Sequence, residues 1–245
     1  MPAILTVESI SKSFGAIVVA DKLCLSLEPG EALGVIGPNG AGKTSLFNMI
    51  AGVMQPASGR ILFDGVDVTR LPARARCWRG IGRSFQIPHP FSGMMTYENV
   101  LVGAAFGRRA SERASEARAV EVLHLTGLVA RANALAGSLT LLERKRLEMA
   151  RALASDPKLL LLDEIAGGLT EPECDELVEA IRHVRAQGVS IIWIEHVVNA
   201  LLAVVDRIAV IDFGRKIAEG EPRAIMASPQ VAEIYMGIDG AAAHG

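Results

Sequence analysis

The sequence predicts an α/β fold organised around a largely parallel sheet, and three observations predict it. Short runs such as "KLLLLDE" (158–164) and "VSIIWIEH" (189–196) are continuously Val/Ile/Leu-rich, as strands covered on both faces are. Segments with helical spacing of apolar residues separate these runs, including one from about 172 to 187. Each run also ends on glycine or on a charged or titratable residue, at the sheet edge where α/β proteins bind ligands. The chain has 245 residues, 50% of them hydrophobic and 21% charged, enough for one large core. With 25 basic against 27 acidic residues the net charge is −2, which gives no electrostatic case for nucleic acid. The longest apolar stretches, 159–162 and 200–205, are far too short to span a bilayer. The first residues lack the basic and apolar regions of a secretory signal. Cys24, Cys77 and Cys174 have no CxxC spacing and read as reduced and buried, so the implied compartment is the cytoplasm.

Taken in order, residues 4–10 and 17–27 alternate apolar and polar positions, as edge or hairpin strands do. "EALGVIG" (31–37) is a buried strand entering a glycine-rich turn, and "KTSLFNMIAG" continues it as a helix. "GRILFDGVDV" (59–68) is a hairpin turning at Asp64-Gly65. From about 88 to 155 Ala, Arg, Glu and Leu dominate, which predicts an inserted helical block. Within it, "SLTLLERKRLEMARAL" starts a helix at Thr140, whose hydroxyl and the carboxylate of Glu143 form a capping box. After the run ending at Glu164 come the helix near 172–187, the run ending at His196, a further helix, and "RIAVIDFGRKIAEG" (207–220).

"GPNGAGKT", Gly37 to Thr44, fits G-x-x-x-x-G-K-[ST] between a strand and a helix. Glycines let successive backbone N–H groups turn inward at phosphate oxygens, and the following helix adds its positive end. Lys43 would bridge the β- and γ-phosphates, and the Thr44 hydroxyl would ligate Mg²⁺. A chance glycine-rich turn is the alternative, and eight matching positions in the right context weigh against it. Asp163 and Glu164 close a buried run, where Asp163 would hold Mg²⁺ through water and Glu164 would polarise an attacking water. His196 closes the next run; a structural hydrogen-bonding role is its alternative.

In this order the motifs resemble one family over nearly the whole chain, the nucleotide-binding subunits of ABC transporters. The resemblance implies a P-loop NTPase (RecA-like) core with an antiparallel β subdomain and an inserted α-helical subdomain. The division would be 1–87 and 156–228 for the core with its β subdomain, 88–155 for the helical part and 229–245 for a tail. It implies ATP and Mg²⁺ as ligands. The nucleotide would lie on Phe14, against adenine, and on Gly37, Pro38, Asn39, Gly40, Ala41, Gly42, Lys43, Thr44 and Ser45. Gln86 would be the Q-loop residue sensing Mg²⁺ and the γ-phosphate, Asp163 the Walker B aspartate, Glu164 the catalytic glutamate and His196 the switch histidine.

The same resemblance places Leu139, Thr140, Leu141, Leu142 and Glu143 on the family's L-S-G-G-Q signature. There, two cassettes pack head to tail, so the capped helix start faces the γ-phosphate held by the other. Thr140 and Glu143 preserve the cap, but Leu141 and Leu142 replace both glycines, and a leucine occupies volume where glycine admits close approach. Ile165 replaces the usual proline after Glu164, and Thr170 stands where an aspartate is common. Two readings follow. Either the chain pairs with a different cassette whose signature keeps its glycines, the heterodimer being favoured, or both leucines turn aside and both sites work.

Residues 80–104 and 191–222 are most similar to the branched-chain amino-acid uptake subfamily. The implied partners are a second ATPase subunit, integral membrane permease subunits and, indirectly, a periplasmic or surface binding protein. The chain would then lie peripherally at the inner face of the cell membrane. Lipopolysaccharide-export ATPases share the architecture and are the nearest alternative, ahead of a non-transport ABC ATPase. Phe91, Met94 and Met95, after Gln86, suit a docking groove for a membrane-subunit helix, or else local packing. Arg70, Arg74, Arg76, Arg79 and Arg83 read as a solvated helix face more readily than as a lipid-binding one.

Overall fold

The computed structural model describes residues 2–108, 110–229 and 231; most of the expected tail at 229–245 lies outside the described residues. The chain runs β1 (Leu5–Phe14), β2 (Ile17–Leu27), β3 (Ala32–Ile36), α1 (Lys43–Ala51), β4 (Ser58–Phe63) and β5 (Val66–Asp67). It continues through α2 (Ala73–Arg79), β6 (Ile81–Arg83), α3 (Thr96–Arg108), α4 (Glu112–Leu125) and α5 (Leu141–Ala154). The last elements are β7 (Leu159–Asp163), α6 (Glu171–Ala186), β8 (Ser190–Ile194), α7 (Val198–Leu202), β9 (Arg207–Asp212), β10 (Arg215–Gly220) and α8 (Pro222–Met226).

Two sheets form. A six-stranded sheet has the order β10-β9-β3-β8-β7-β6, and all its pairs are parallel except β10–β9. A second, antiparallel sheet has the order β2-β1-β4-β5. The apolar runs are continuous because both faces of the large sheet are covered. Leu159, Leu161, Ile192 and Ile194 point to a core that also holds Leu46, Phe47 and Ile50 of α1 and Leu5, Val7 and Ile61 of the small sheet. Leu160, Leu162, Ile191 and Trp193 point the other way, to a core shared with Leu177 and Ile181 of α6 and Leu147 and Met149 of α5. Helix α1 is thereby clamped between two sheets, which makes its N-terminus a rigid platform.

The region between the 59–68 hairpin and Gln86 carries α2 and β6, two elements that apolar periodicity does not reveal. Here the solvated reading of the arginines holds for Arg70, Arg74 and Arg79, which are exposed, and is corrected for Arg83, half-buried on β6, and for Arg76. Arg76 is fully buried: Nε donates to Leu71 O at 2.9 Å, Nη1 to Met49 O and Ile50 O at 2.6 and 2.9 Å, and Nη2 to Thr69 O at 2.8 Å. It therefore caps the C-terminal end of α1, whose last carbonyls have no intrahelical partner. Burial pulls its pKa down to about 10, and Asp67 partly opposes that. The cysteine reading is also corrected in part. Cys174 is buried, but Cys77 is half-buried and Cys24 is exposed on β2, where its sulfur accepts from Ser9 N at 3.2 Å.

Candidate nucleotide site

The turn from β3 into α1 requires glycine at two positions. Gly37 has φ +151° and a Cβ there would lie 1.9 Å from Ile211 O; Gly42 has φ +102° and its Cβ would lie 2.2 Å from Val19 O. Between them Asn39 and Gly40 are exposed, Pro38 is half-buried, and Ala41 is buried with its carbonyl accepting from Gly214 N at 2.9 Å. Lys43 is only 5% exposed, and its ammonium donates to Gly37 O at 2.6 Å and Pro38 O at 2.8 Å, curling under the loop. Burial lowers its pKa, while Glu164 and Asp163 act to raise it. Thr44 is exposed and Ser45 half-buried at the first turn of α1, whose N–H groups have no intrahelical acceptor. Phe14 ends β1 and is exposed, with Lys12 Nζ 5.3 Å from its ring centroid.

Parallel pairing of β7, β8 and β6 sets the remaining groups at one sheet edge. Glu164 takes a left-handed φ of +48°, uncommon outside glycine, and this turns its carboxylate off the strand direction. One oxygen accepts from Gln86 Nε2 at 2.5 Å, and the other lies 2.9 Å from His196 Nε2. The structure thus brings Gln86, Glu164 and His196 together. Asp163, buried, faces another partner: Arg83 Nη2 lies 3.0 Å away, and Arg83 Nη1 donates to Asn48 Oδ1 of α1 at 2.6 Å. The Arg83 guanidinium lies 5.8 and 5.1 Å from the ring centroids of Phe47 and Phe85. Burial pushes the Asp163 carboxyl up, and Arg83 counteracts it.

The stretch Leu139–Glu143 is organised around its own helix cap. Thr140 N donates to Glu143 Oε2 at 2.9 Å and Glu143 N to Thr140 Oγ1 at 3.3 Å, while Arg131 Nε donates to Glu143 Oε1 at 2.6 Å. Leu139 and Leu142 are buried in the core; Leu141 stays 39% exposed, and a Cβ on Gly168 would sit 3.4 Å from it. Thr170 N-caps α6, its hydroxyl and N–H both donating to Glu173 at 2.7 and 2.9 Å, and Ile165 is fully buried.

Sequence reasoning missed three polar groups here. Arg83, half-buried on β6, is one. Lys145, 5% exposed on α5, donates from Nζ to Gln86 O at 2.9 Å and Glu164 O at 3.2 Å. Glu195, 1% exposed, accepts from Ala166 N and His196 N at 2.9 Å and from Val197 N at 3.3 Å. The signal for Lys145 lay in the pattern itself, since Leu142, Lys145 and Met149 share one helical stripe and its other two members are apolar.

A phosphate loop on a clamped helix, opposite an acid–amide–histidine cluster at the parallel sheet edge, defines a P-loop nucleotide-binding ATPase. Residues 20–167 match the family described as ABC transporter, and the chain belongs to that family as an ATPase subunit. It is similar to the high-affinity branched-chain amino acid transport ATP-binding protein BraF of Pseudomonas aeruginosa, 34% identical over 96% of this chain and 98% of that protein. It is also similar to the lipopolysaccharide export system ATP-binding protein LptB of Escherichia coli K12, 33% identical over 97% and 98%. Among solved structures, the ADP conformation of the cassette MJ1267 superposes with a TM-score of 0.88 at 30% identity, covering 97% of this chain and 100% of that one. The α/β P-loop fold expected from the sequence is the fold of these cassettes.

Proposed function

We propose that the chain hydrolyses ATP to drive uptake of a small solute, a branched-chain amino acid or a related compound, through membrane subunits. The observation that carries the hydrolytic reading is the Gln86–Glu164–His196 cluster beside the loop holding Lys43. The uptake reading rests on likeness to BraF along nearly the whole of both chains. The similar likeness to LptB makes an export ATPase the second reading, and a non-transport ATPase a more distant one.

In this reading the phosphates lie in the cradle of 37–44, with Lys43 released from its two loop carbonyls to meet them and adenine against Phe14. Glu164, oriented by Gln86 and His196, positions water for in-line attack, so catalysis is positioning and electrostatics. The donors present suit Mg²⁺: the Thr44 hydroxyl, the Asp163 carboxylate and the Gln86 amide are all hard oxygen ligands, and the phosphates would complete the set. Mg²⁺, when bound, would neutralise charge on the β- and γ-phosphates. Asp163 would have to exchange part of its pairing with Arg83 to take this role.

The second cassette would present its signature to this site, and this chain's α5 would face the partner's nucleotide. Leu142 turns into the core, but Leu141 projects at the helix start, which supports a different, glycine-bearing partner. Of the residues expected to form a docking groove, Phe91 and Met95 are exposed, and Arg151 lies 4.9 Å from the Phe91 ring centroid. Arg151 also lines an apolar groove of about 390 Å³ that Phe91, Met94 and Met95 do not line, with Val53, Trp78, Phe85, Val102 and Phe106, and this groove would receive the membrane-subunit helix. No helix among the described residues is long and apolar enough to cross a membrane. A place at the inner membrane face, bound to permease subunits and served by a binding protein, belongs to the same proposal. So does the division into a core of 1–87 and 156–228 and a helical part of 88–155. Copurification with the membrane subunits, followed by a ligand screen on the associated binding protein, tests it. Uptake of a branched-chain amino acid or related compound is expected; vectorial lipid export would overturn the uptake reading.

A further inference from the structure

Lys145 is a buried cation whose place is not explained by packing. It sits on the apolar stripe of α5, five residues after the Thr140 cap, about 7.5 Å along the helix axis. A charged group stays buried only when hydrogen-bonded and compensated. The acceptors Lys145 has found are the backbone carbonyls of Gln86 and Glu164, at 2.9 and 3.2 Å. These are two of the three residues whose side chains form the hydrolytic cluster. Burial lowers the Lys145 pKa, and the charges that act against that are the buried Glu195 and then Glu164. Glu195 in turn receives the N–H groups of Ala166, two residues past Glu164, and of His196, the third cluster member. Lys145 and Glu195 therefore support, from beneath, the backbone of all three cluster residues.

The geometry points to Lys145 as a positioning residue that couples the two nucleotide sites of the assembled pair: it makes the placing of Gln86 and Glu164 in this chain's site depend on helix α5, whose capped start faces the nucleotide of the other. This rests on the reading of the cluster as hydrolytic and of α5 as facing the partner. A shift of α5 by a few tenths of an ångström, as its N–H groups engage a phosphate, would be carried through one rigid turn to the ammonium. Both carbonyls would feel it at once. An isolated neutral side chain at 145 would leave α5 and the cluster joined only by apolar contacts, which tolerate sliding.

The test uses the complete transporter, with ATP hydrolysis followed against ATP concentration for the wild type, Lys145→Met, Lys145→Arg and Glu164→Gln. ATP affinity is measured separately with a fluorescent nucleotide analogue, and folding by thermal melting. Lys145→Met is expected to lower kcat at least tenfold and bring the Hill coefficient of hydrolysis towards 1, with nucleotide affinity within about twofold of wild type. Lys145→Arg, which keeps the charge and the donors, is expected to restore most of both. A wild-type Hill coefficient in Lys145→Met would overturn the proposal whatever its kcat, as would a loss of turnover matched by an equal loss of affinity. If Lys145→Met does not fold, Lys145→Gln, which keeps a donor but not the charge, takes its place with the same expectations. Glu164→Gln separates the two layers: if it leaves turnover intact the hydrolytic reading itself fails, whereas if it stops turnover while Lys145→Met does not, only the coupling role fails.

Discussion

In the proposed mechanism Glu164 carries most of the chemistry, and its environment shows how one side chain is aimed. A left-handed backbone turn and two hydrogen bonds leave the carboxylate a single direction. Glu164→Gln keeps the volume but removes the charge that orients water, so turnover should fall about 10²–10³-fold with nucleotide binding retained. Steady-state hydrolysis beside equilibrium binding checks this. Arg76 offers the opposite case, a charge far from any chemistry. Arg76→Ala strips donors from four carbonyls inside the protein, so urea unfolding should show a loss of about 3 kcal/mol. If it costs less than about 1 kcal/mol, water replaces the guanidinium and the side chain is not the cap of α1 described above.

Helix α5 shows what a cap contributes and what a single branched side chain obstructs. Burial acts to raise the Glu143 pKa, but the Thr140 N–H and Arg131 outweigh it, and the carboxyl titrates below its ordinary 4.5. A depressed folded pKa gives stabilisation that is complete above 4.5 and is lost as pH falls through the lower folded value. Wild type should therefore exceed Glu143→Gln by about 1 kcal/mol at neutral pH. The gap should close as the unfolding curves are repeated into the acid range; one that widens there contradicts the assignment. Leu141, half-exposed at the first turn of α5, is expected to weaken, without preventing, the contact of α5 with the partner's nucleotide. Leu141→Gly should raise turnover of the assembled transporter severalfold, and an unchanged rate would mean that the side chain already lies clear.

At the scale of the whole molecule, the proposed docking surface is the apolar groove lined by Trp78, Phe85 and Phe106. Phe106 is 76% exposed at its mouth, so substituting it should change stability by no more than about 0.5 kcal/mol. Phe106→Glu should nevertheless abolish copurification with the membrane subunits while leaving nucleotide affinity of the isolated chain intact. Retained copurification would move the docking surface elsewhere.

How much of this was legible beforehand follows from the physics of each signal. The strands β3, β7 and β8 are continuous apolar runs because both faces are covered, and that pattern is local. The glycine-rich loop is legible for the same reason, since its steric demands act within eight residues. Strand β6 was not, because its short span shows little apolar periodicity and is ordered by what surrounds it, and helix α2 showed only as a row of arginines. By itself the sequence determined the α/β class, the phosphate loop, the helix start at Thr140 and the family. Only the tertiary structure decided that Arg76 and Arg83 turn inward, that Asp163 is held by an arginine, and that Lys145 reaches the backbone of Gln86 and Glu164. The physical reason is range: turns, caps and strand patterns are written in neighbouring residues, whereas the fate of a buried charge depends on which distant carbonyls and carboxylates the fold brings to it.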